Sequence, residues 1–199
     1  MKKSSTLAIV LISAVLILPF QVYASTAKET VEVQINKILT KMKEPAFKEM
    51  SKDAKMAEIS KIINEVFDYE ELSKRTLGRN WQKFSPEQQK EFIQLFSQLL
   101  EDVYSDRILA YTNEVIEFGK DTELKKGQFE VESNIITATN TKVPLNYRLL
   151  QKGGQWRVYD VVIEGVSMVK NYRTQFRQLL SKDSPEQLLE TLRERVKKG

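Results

Sequence analysis

The stretch that most constrains the fold is residues 156–176, WRVYDVVIEGVSMVKNYRTQF. From Trp156 to Ile163, seven of eight residues are apolar, aromatic or long amphipathic types and three are Val, the composition of a mostly buried strand. Gly165 ends that strand. Beyond it Val166, Val169, Tyr172 and Phe176 recur at three- and four-residue spacing, so the hydrophobic period changes from 2 to 3.6 and an amphipathic helix begins. Asp160 interrupts the apolar run. A carboxylate left unpaired there costs several kcal/mol, so it has a partner or water.

The preceding residues supply what this strand and helix pack against. Residues 30–42 place Val31, Ile35, Ile38 and Met42 on one helical face, stopped near Pro45. A second helix from about Asp53, its expected N-cap, carries Met56, Ile59, Ile62, Ile63 and Val66, and leads into a short helix or turn over 67–72 closed by Gly78. Ser85-Pro86-Glu87-Gln88 is a helix start, with Ser as N-cap, Pro at the first helical position and Gln completing a capping box; the tetrapeptide recurs at 184–187. The helix it opens runs to about Tyr111. Phe92, Leu95, Phe96, Leu99, Val103 and Ile108 form its broad apolar face, which Leu100 and Tyr104 widen.

From Glu114 the period is that of strands, over 115–118, 128–132, 134–139, 142–151 and 155–163. Val143, Leu145, Tyr147 and Leu149 alternate with polar residues in a half-buried antiparallel strand, where Pro144, lacking an amide donor, argues for an edge position. Gly153-Gly154 suits a tight hairpin turn. A helix over 166–180 and a last one bearing Leu188, Leu192 and Val196 close the chain. Helices, an antiparallel meander and helices again make an α+β fold.

Two absences narrow the chemistry. Without Cys there is no disulfide framework, thiolate nucleophile, thiolate metal site or lipid-modified cysteine; without His, the commonest general base and zinc ligand are missing. Residues 1–24 read as a cleaved secretory signal, with Lys2 and Lys3, an apolar run over 7–20, and Val22-Tyr23-Ala24 before Ser25. That run is short for a bilayer span, which needs about 20 residues. Residues 25–199 then have the length of one domain with a sizeable core. The net charge of +4, less the two lysines of the leader, is +2, and acids and bases are interspersed, so there is no nucleic-acid footprint.

No Gly-rich phosphate loop, nucleophile elbow, metal cluster or calcium loop occurs. Asp160 is the one candidate general base, with Tyr147 or Tyr159 as donors; the competing reading is a carboxylate bonded to backbone amides at the strand-to-helix corner. The apolar face over 92–108 covers a solid core or, under a strongly curved sheet, a conical cavity, and the pattern alone leaves both open. Arg75, Arg79, Arg107, Lys170 and Arg173 are the cations nearest these stripes, each either solvated or set to meet an anionic head group.

Leu77-Gly78 with Trp81, Ser85-Pro86-Glu87-Gln88, the set Phe92, Phe96, Leu99 and Tyr104, and Trp156-x-x-Tyr159-Asp160-x-x-x-Glu164-Gly165-Val166-Ser167-Met168 together resemble the MlaC family. These are periplasmic phospholipid-binding proteins, also known as the toluene tolerance family. The resemblance spans about 31–196, and its last string is the most specific part. It implies an NTF2-like curved antiparallel sheet packed against several helices around a hydrophobic cavity. It also implies a soluble periplasmic carrier, not an enzyme, that needs no cofactor and holds phospholipid as cargo.

Such a carrier, a monomer with no nucleic-acid partner, would move lipid between an outer-membrane lipoprotein complex and an inner-membrane ABC transporter with an MCE-domain subunit, maintaining outer-membrane lipid asymmetry. Lipid-lining residues expected from the apolar faces are Phe96, Leu99, Leu100, Val103, Tyr104, Ile108, Leu145, Tyr147, Val166, Val169 and Tyr172. The charged loop 119–127 matches no family feature. The alternative is an NTF2-like enzyme acting on a small apolar substrate through Asp160.

Overall fold

Tight turns order the sheet in the computed structural model, which describes residues 25–110 and 114–198. Strands β1 (Val115–Lys125), β2 (Gln128–Ile136), β3 (Lys142–Lys152), β4 (Gln155–Ile163) and β5 (Val166–Ser167) form an antiparallel meander in that spatial order. Gly153 and Gly154, at φ 58° and 78°, make the expected hairpin turn between β3 and β4. Glu164 and Gly165, at φ 49° and 81°, make another. The chain therefore runs back along β4 for two residues before it becomes helical.

The helical layer is α1 (Ala27–Lys43), α2 (Pro45–Lys48), α3 (Lys52–Asn64), α4 (Tyr69–Leu77), a 3₁₀ turn (Gly78–Lys83) and α5 (Pro86–Leu109), with α6 (Met168–Leu179) and α7 (Pro185–Lys198) following the sheet. Their starts are written locally. Ser85 and Gln88 form the expected capping box on α5, and Ser184 and Gln187 repeat it at α7. The α3 cap is Ser51, whose hydroxyl accepts the Ala54 N–H at 3.3 Å; Asp53, expected there, lies in the first turn instead. The α+β class expected from the sequence is the one the chain adopts. The expected signal segment, residues 1–24, and Tyr111 lie outside the described residues.

Three strand expectations differ. Pro144 is not at a sheet edge: β3 lies between β2 and β4, with Pro144 opposite Asn134 near the strand's start and its carbonyl accepting the Glu164 N–H at 2.9 Å. The stretches 128–132 and 134–139 join through Ser133. Its hydroxyl donates to the Leu145 carbonyl and its N–H to Asn146 Oδ1, so side chains replace part of the ladder. Most of the charged segment 119–127 is the outer half of the β1–β2 hairpin, exposed on both faces and therefore without an apolar alternation to reveal it.

Two buried carboxylates join the layers. Asp160, 2% exposed, accepts the Ser167 hydroxyl at 2.6 Å, the Val169 N–H at 3.0 Å and an Arg148 N–H at 3.2 Å. Arg148 also reaches Glu130 at 2.6 Å, so β2, β3, β4 and the first turn of α6 meet at one charge. Asp68 caps α4 through the Glu71 N–H (2.9 Å) and pairs with Lys152 (2.8 Å). Beside it, Asp68 N–H donates to Val158 O and Val158 N–H to Val66 O, both at 2.8 Å, a short parallel pairing that fastens the helical layer to β4. Burial pushes the Asp68 carboxyl up, but Lys152 and the Glu71 amide outweigh it and hold the group below its usual range.

Asp160→Ala leaves an amide, a hydroxyl and a guanidinium arm without their acceptor and is expected to cost about 3–5 kcal/mol of unfolding free energy, whereas Asp160→Asn, which keeps an acceptor for Val169, costs about 1–3 kcal/mol. Urea titration of both variants checks the order. For Asp68 the native pKa is depressed, so its ion pair stabilises above the unfolded carboxyl pKa and is lost as pH falls through the native one. Asp68→Asn keeps the cap, and is expected to be about 1 kcal/mol less stable than the parent at neutral pH. In stability measured against pH, that gap should close on the acid side.

Candidate functional site

Helices and sheet do not close on each other everywhere. Between them lies an apolar cavity of about 220 Å³. Val31, Ile35 and Ile38 of α1 and Met56 and Ile63 of α3 form one wall; Val66, Phe67 and Tyr69 continue it. Leu100, Tyr104 and Ile108 of α5 face Leu145 and Tyr147 of β3 and Val158, Val161 and Ile163 of β4, and Met168 closes the corner. The parallel stitch at Val66–Asp68 places that segment on the wall, and the Asp160 cluster sets Met168 at the turn into α6.

Helix α5 carries two apolar stripes that read as one face in the sequence. Phe92, Phe96, Leu99 and Val103 follow each other at spacings of four, three and four; Leu100, Tyr104 and Ile108 form a second row rotated around the axis. Phe92, Phe96 and Leu99 of the first row pack solid. Phe96 stacks edge-on against Tyr172 (5.0 Å between centroids) and Phe176 (5.3 Å), and Phe92 against Phe176 (5.5 Å). The second row borders the cavity.

The sequence-derived residues divide accordingly. Leu100, Tyr104, Ile108, Leu145 and Tyr147 come together on the cavity wall. Phe96, Leu99, Val169 and Tyr172 are buried in the core and are not among the wall residues. Val103, on the row that outruns its cover, is 50% exposed. Val166 is 60% exposed, because the β5 pairing extends the backbone there and puts Met168, two residues on, at the cavity. The α1 and α3 residues were absent from the expected wall. Their stripes were visible as amphipathic periodicity, but nothing in a stripe says what it faces.

The polar groups on the wall are few. Burial pushes the Tyr69 and Tyr147 phenols far up, and Tyr104 upward too. Glu101 is the one charged residue among the wall residues; burial raises its carboxyl, opposed by the Ser60 hydroxyl beside it. None of Arg75, Arg79, Arg107, Lys170 and Arg173 lines the cavity. Arg75 pairs with Glu71 at 2.7 Å and lies 3.8 Å over the Tyr159 ring, while Arg173 donates to the Arg75 carbonyl at 2.8 Å.

Asp160 is not on the wall either, and its oxygens are occupied. Tyr159 donates to Gln128 at 3.2 Å and Tyr147 faces the cavity, so the general base and donors weighed for an enzyme are not assembled. Among the described residues no cluster of acids is placed to hold a metal ion, and no helix is long and apolar enough to cross a membrane.

The chain is similar to known proteins. The MlaC protein family profile matches residues 32–194. The intermembrane phospholipid transport system binding protein MlaC of Haemophilus influenzae is 30% identical over 135 residues, 64% of this chain and 63% of the relative. Toluene tolerance protein ttg2D of Pseudomonas putida is 27% identical over 129 residues, 63% of this chain and 59% of the relative. The matches thus span about three-fifths of the length of these curated relatives. The structure of a phospholipid-binding protein from Ralstonia solanacearum in complex with a phospholipid has the same fold, at a TM-score of 0.77 and 22% identity, over 87% of this chain and 98% of that one. The profile covers most of the sequence from α1 to α7, and on that ground the chain belongs to the MlaC family.

Proposed function

We propose that this protein is a phospholipid carrier that shelters acyl chains in the cavity between its helices and the β3–β4 face. The observation that carries the reading is the apolar cavity itself, in a fold shared with a protein complexed with a phospholipid. The physical need is large. Exposing the roughly thirty methylenes of a diacyl lipid, at about 0.8 kcal/mol each, costs on the order of 25 kcal/mol, so a lipid does not cross an aqueous gap unsheltered at a useful rate.

In this reading residues 1–24 direct export and are removed, and residues 25–199 work in the periplasm as one domain. The cargo passes between an outer-membrane lipoprotein complex and an inner-membrane ABC transporter with an MCE-domain subunit, which maintains outer-membrane lipid asymmetry. Surface charges of mixed sign suit brief, salt-sensitive docking at either membrane. In this reading the role is not enzymatic, and Asp160, the base singled out from the sequence, is committed to the β4–α6 corner.

Mass spectrometry of lipid extracted from the purified protein is expected to find phospholipid in near-stoichiometric amount. Leu145→Trp, which fills the cavity from the sheet side, is expected to lower that occupancy at least several-fold while circular dichroism stays that of the parent. A parent protein that purifies empty and takes up no lipid from vesicles overturns the reading.

A further inference from the structure

Acids and bases are mixed along most of this chain, but two stretches carry bases alone, and the fold brings those two together. Residues 72–86 hold Lys74, Arg75, Arg79 and Lys83, residues 165–182 hold Lys170, Arg173, Arg177 and Lys182, and neither stretch contains an Asp or Glu. The 31 Lys and Arg of the chain less these eight leave 23 against 27 acids, so the remainder is net negative and the positive excess is concentrated here. Arg173 Nε of α6 donates to the Arg75 carbonyl of α4 at 2.8 Å, and a Cβ on Gly78 would lie 3.9 Å from the same nitrogen. Phe84, just past the 3₁₀ turn, packs on Phe92, which packs on Phe176 of α6. The turn is thus held to α6 at both ends, and its Arg79 and Lys83 join the cations of α6 on one side of the molecule.

Lys74 and Arg75 are paired, with Glu70 at 2.5 Å and Glu71 at 2.7 Å. The other six are exposed and have no carboxylate oxygen within 4.0 Å among the described residues. None of them lines the cavity, so cargo does not account for them. Lys170, Arg173 and Arg177 recur at spacings of three and four along the exposed face of α6, away from the buried Val169, Tyr172 and Phe176. Like charges gathered without counter-charge repel one another and attract an anionic partner. Val166, 60% exposed, heads α6, and the half-buried Trp81 lies in the 3₁₀ turn between Arg79 and Lys83. Cations flanking an exposed aliphatic side chain and an indole suit a bilayer surface, where the cations meet lipid phosphates and the apolar groups enter the head-group layer. An acidic protein would account for the cations alone. We propose that this α4–α6 face is the surface by which the protein rests on an anionic phospholipid bilayer. The proposal concerns the outside of the molecule and goes beyond the carrier reading, since it holds whether or not the cavity carries lipid.

The test is co-sedimentation of the full mature chain with vesicles of phosphatidylglycerol or of phosphatidylcholine. Binding is expected to the first and not to the second at about 0.1 M salt, and is lost near about 1 M, where the screening length falls from about 10 Å to about 3 Å. Lys170→Gln combined with Arg177→Gln is expected to weaken binding at least about tenfold, and Arg79→Gln, on the other element, about fivefold. Lys43→Gln combined with Lys48→Gln removes the same charge from exposed positions at α1 and α2, beyond the screening length of the face, and should leave binding within about twofold of the parent. All of these side chains are exposed, and circular dichroism checks that each variant folds. Variants of the face that bind like the parent, or a control pair that loses as much as the α6 pair, overturn the face as the binding surface. Equal binding to both vesicles overturns the charge argument, and no binding to phosphatidylglycerol overturns the bilayer as partner and gives the face to an acidic protein. Lipid extracted from the same protein reports separately on the carrier reading: an empty protein that still binds through this face removes the carrier and leaves the face standing.

Discussion

The carboxylate of Asp160 is where this fold is decided. A strand buried on both sides must leave the sheet and start a helix within a few residues, and the polar groups exposed by that change cannot reach water. Asp160 takes up the Ser167 hydroxyl and the Val169 N–H of the new helix, and the positive end of that helix favours a negative charge at this position. Arg148 supplies the counter-charge from β3 and extends it to Glu130 on β2. One ionic node therefore fixes the register of three strands and the direction in which α6 departs. Everything α6 carries, including Tyr172 and Phe176 against α5 and Met168 at the cavity, inherits its position from this node.

Helix α5 divides what α6 positions. At 24 residues it is about 36 Å long, more than one packed layer can cover. Its N-terminal half meets α6 and α7 with large aromatics that interlock at right angles, the geometry that ring quadrupoles favour. Its C-terminal half turns Leu100, Tyr104 and Ile108 toward a sheet that is held away by α1, α3 and the Val66–Asp68 stitch. The molecule is solid at one end and hollow at the other, and the change occurs along a single helix.

This division explains which features were legible in the sequence. Caps and turns are local chemistry, so Ser85, Ser184 and Gly153-Gly154 announced their elements, and the alternation of Val143 to Leu149 announced a half-buried strand. The position of Pro144 was misread because edge or centre is a property of the neighbouring strands, and no residue of β3 encodes it. Val166 was placed on the wall because its spacing continues that of Val169 and Tyr172; the two-residue β5 pairing that shifts the helix start leaves no periodic trace. The cavity was half found for the same reason. A stripe of apolar side chains says that a face is buried, and the choice between a neighbouring side chain and an open space depends on how far apart the elements are held.

That separation carries an energetic consequence. Apolar space that no side chain fills forgoes packing contacts, and about 220 Å³ of it lies between these helices and the sheet. Larger side chains at Leu100, Leu145 or Val161 would recover much of it, and the chain has not taken them. In the carrier reading proposed above an occupant offsets the void, because a ligand that binds only the folded state stabilises it by an amount that grows with the logarithm of its concentration relative to Kd. An acyl chain restores the missing dispersion contacts without requiring directional partners, which suits a wall built almost wholly of Val, Ile, Leu, Met and aromatic side chains. Stability and cargo are then linked. On the carrier reading proposed above, the fold is at its most stable when loaded, and the free energy withheld from the empty core is the free energy available to hold a lipid away from water.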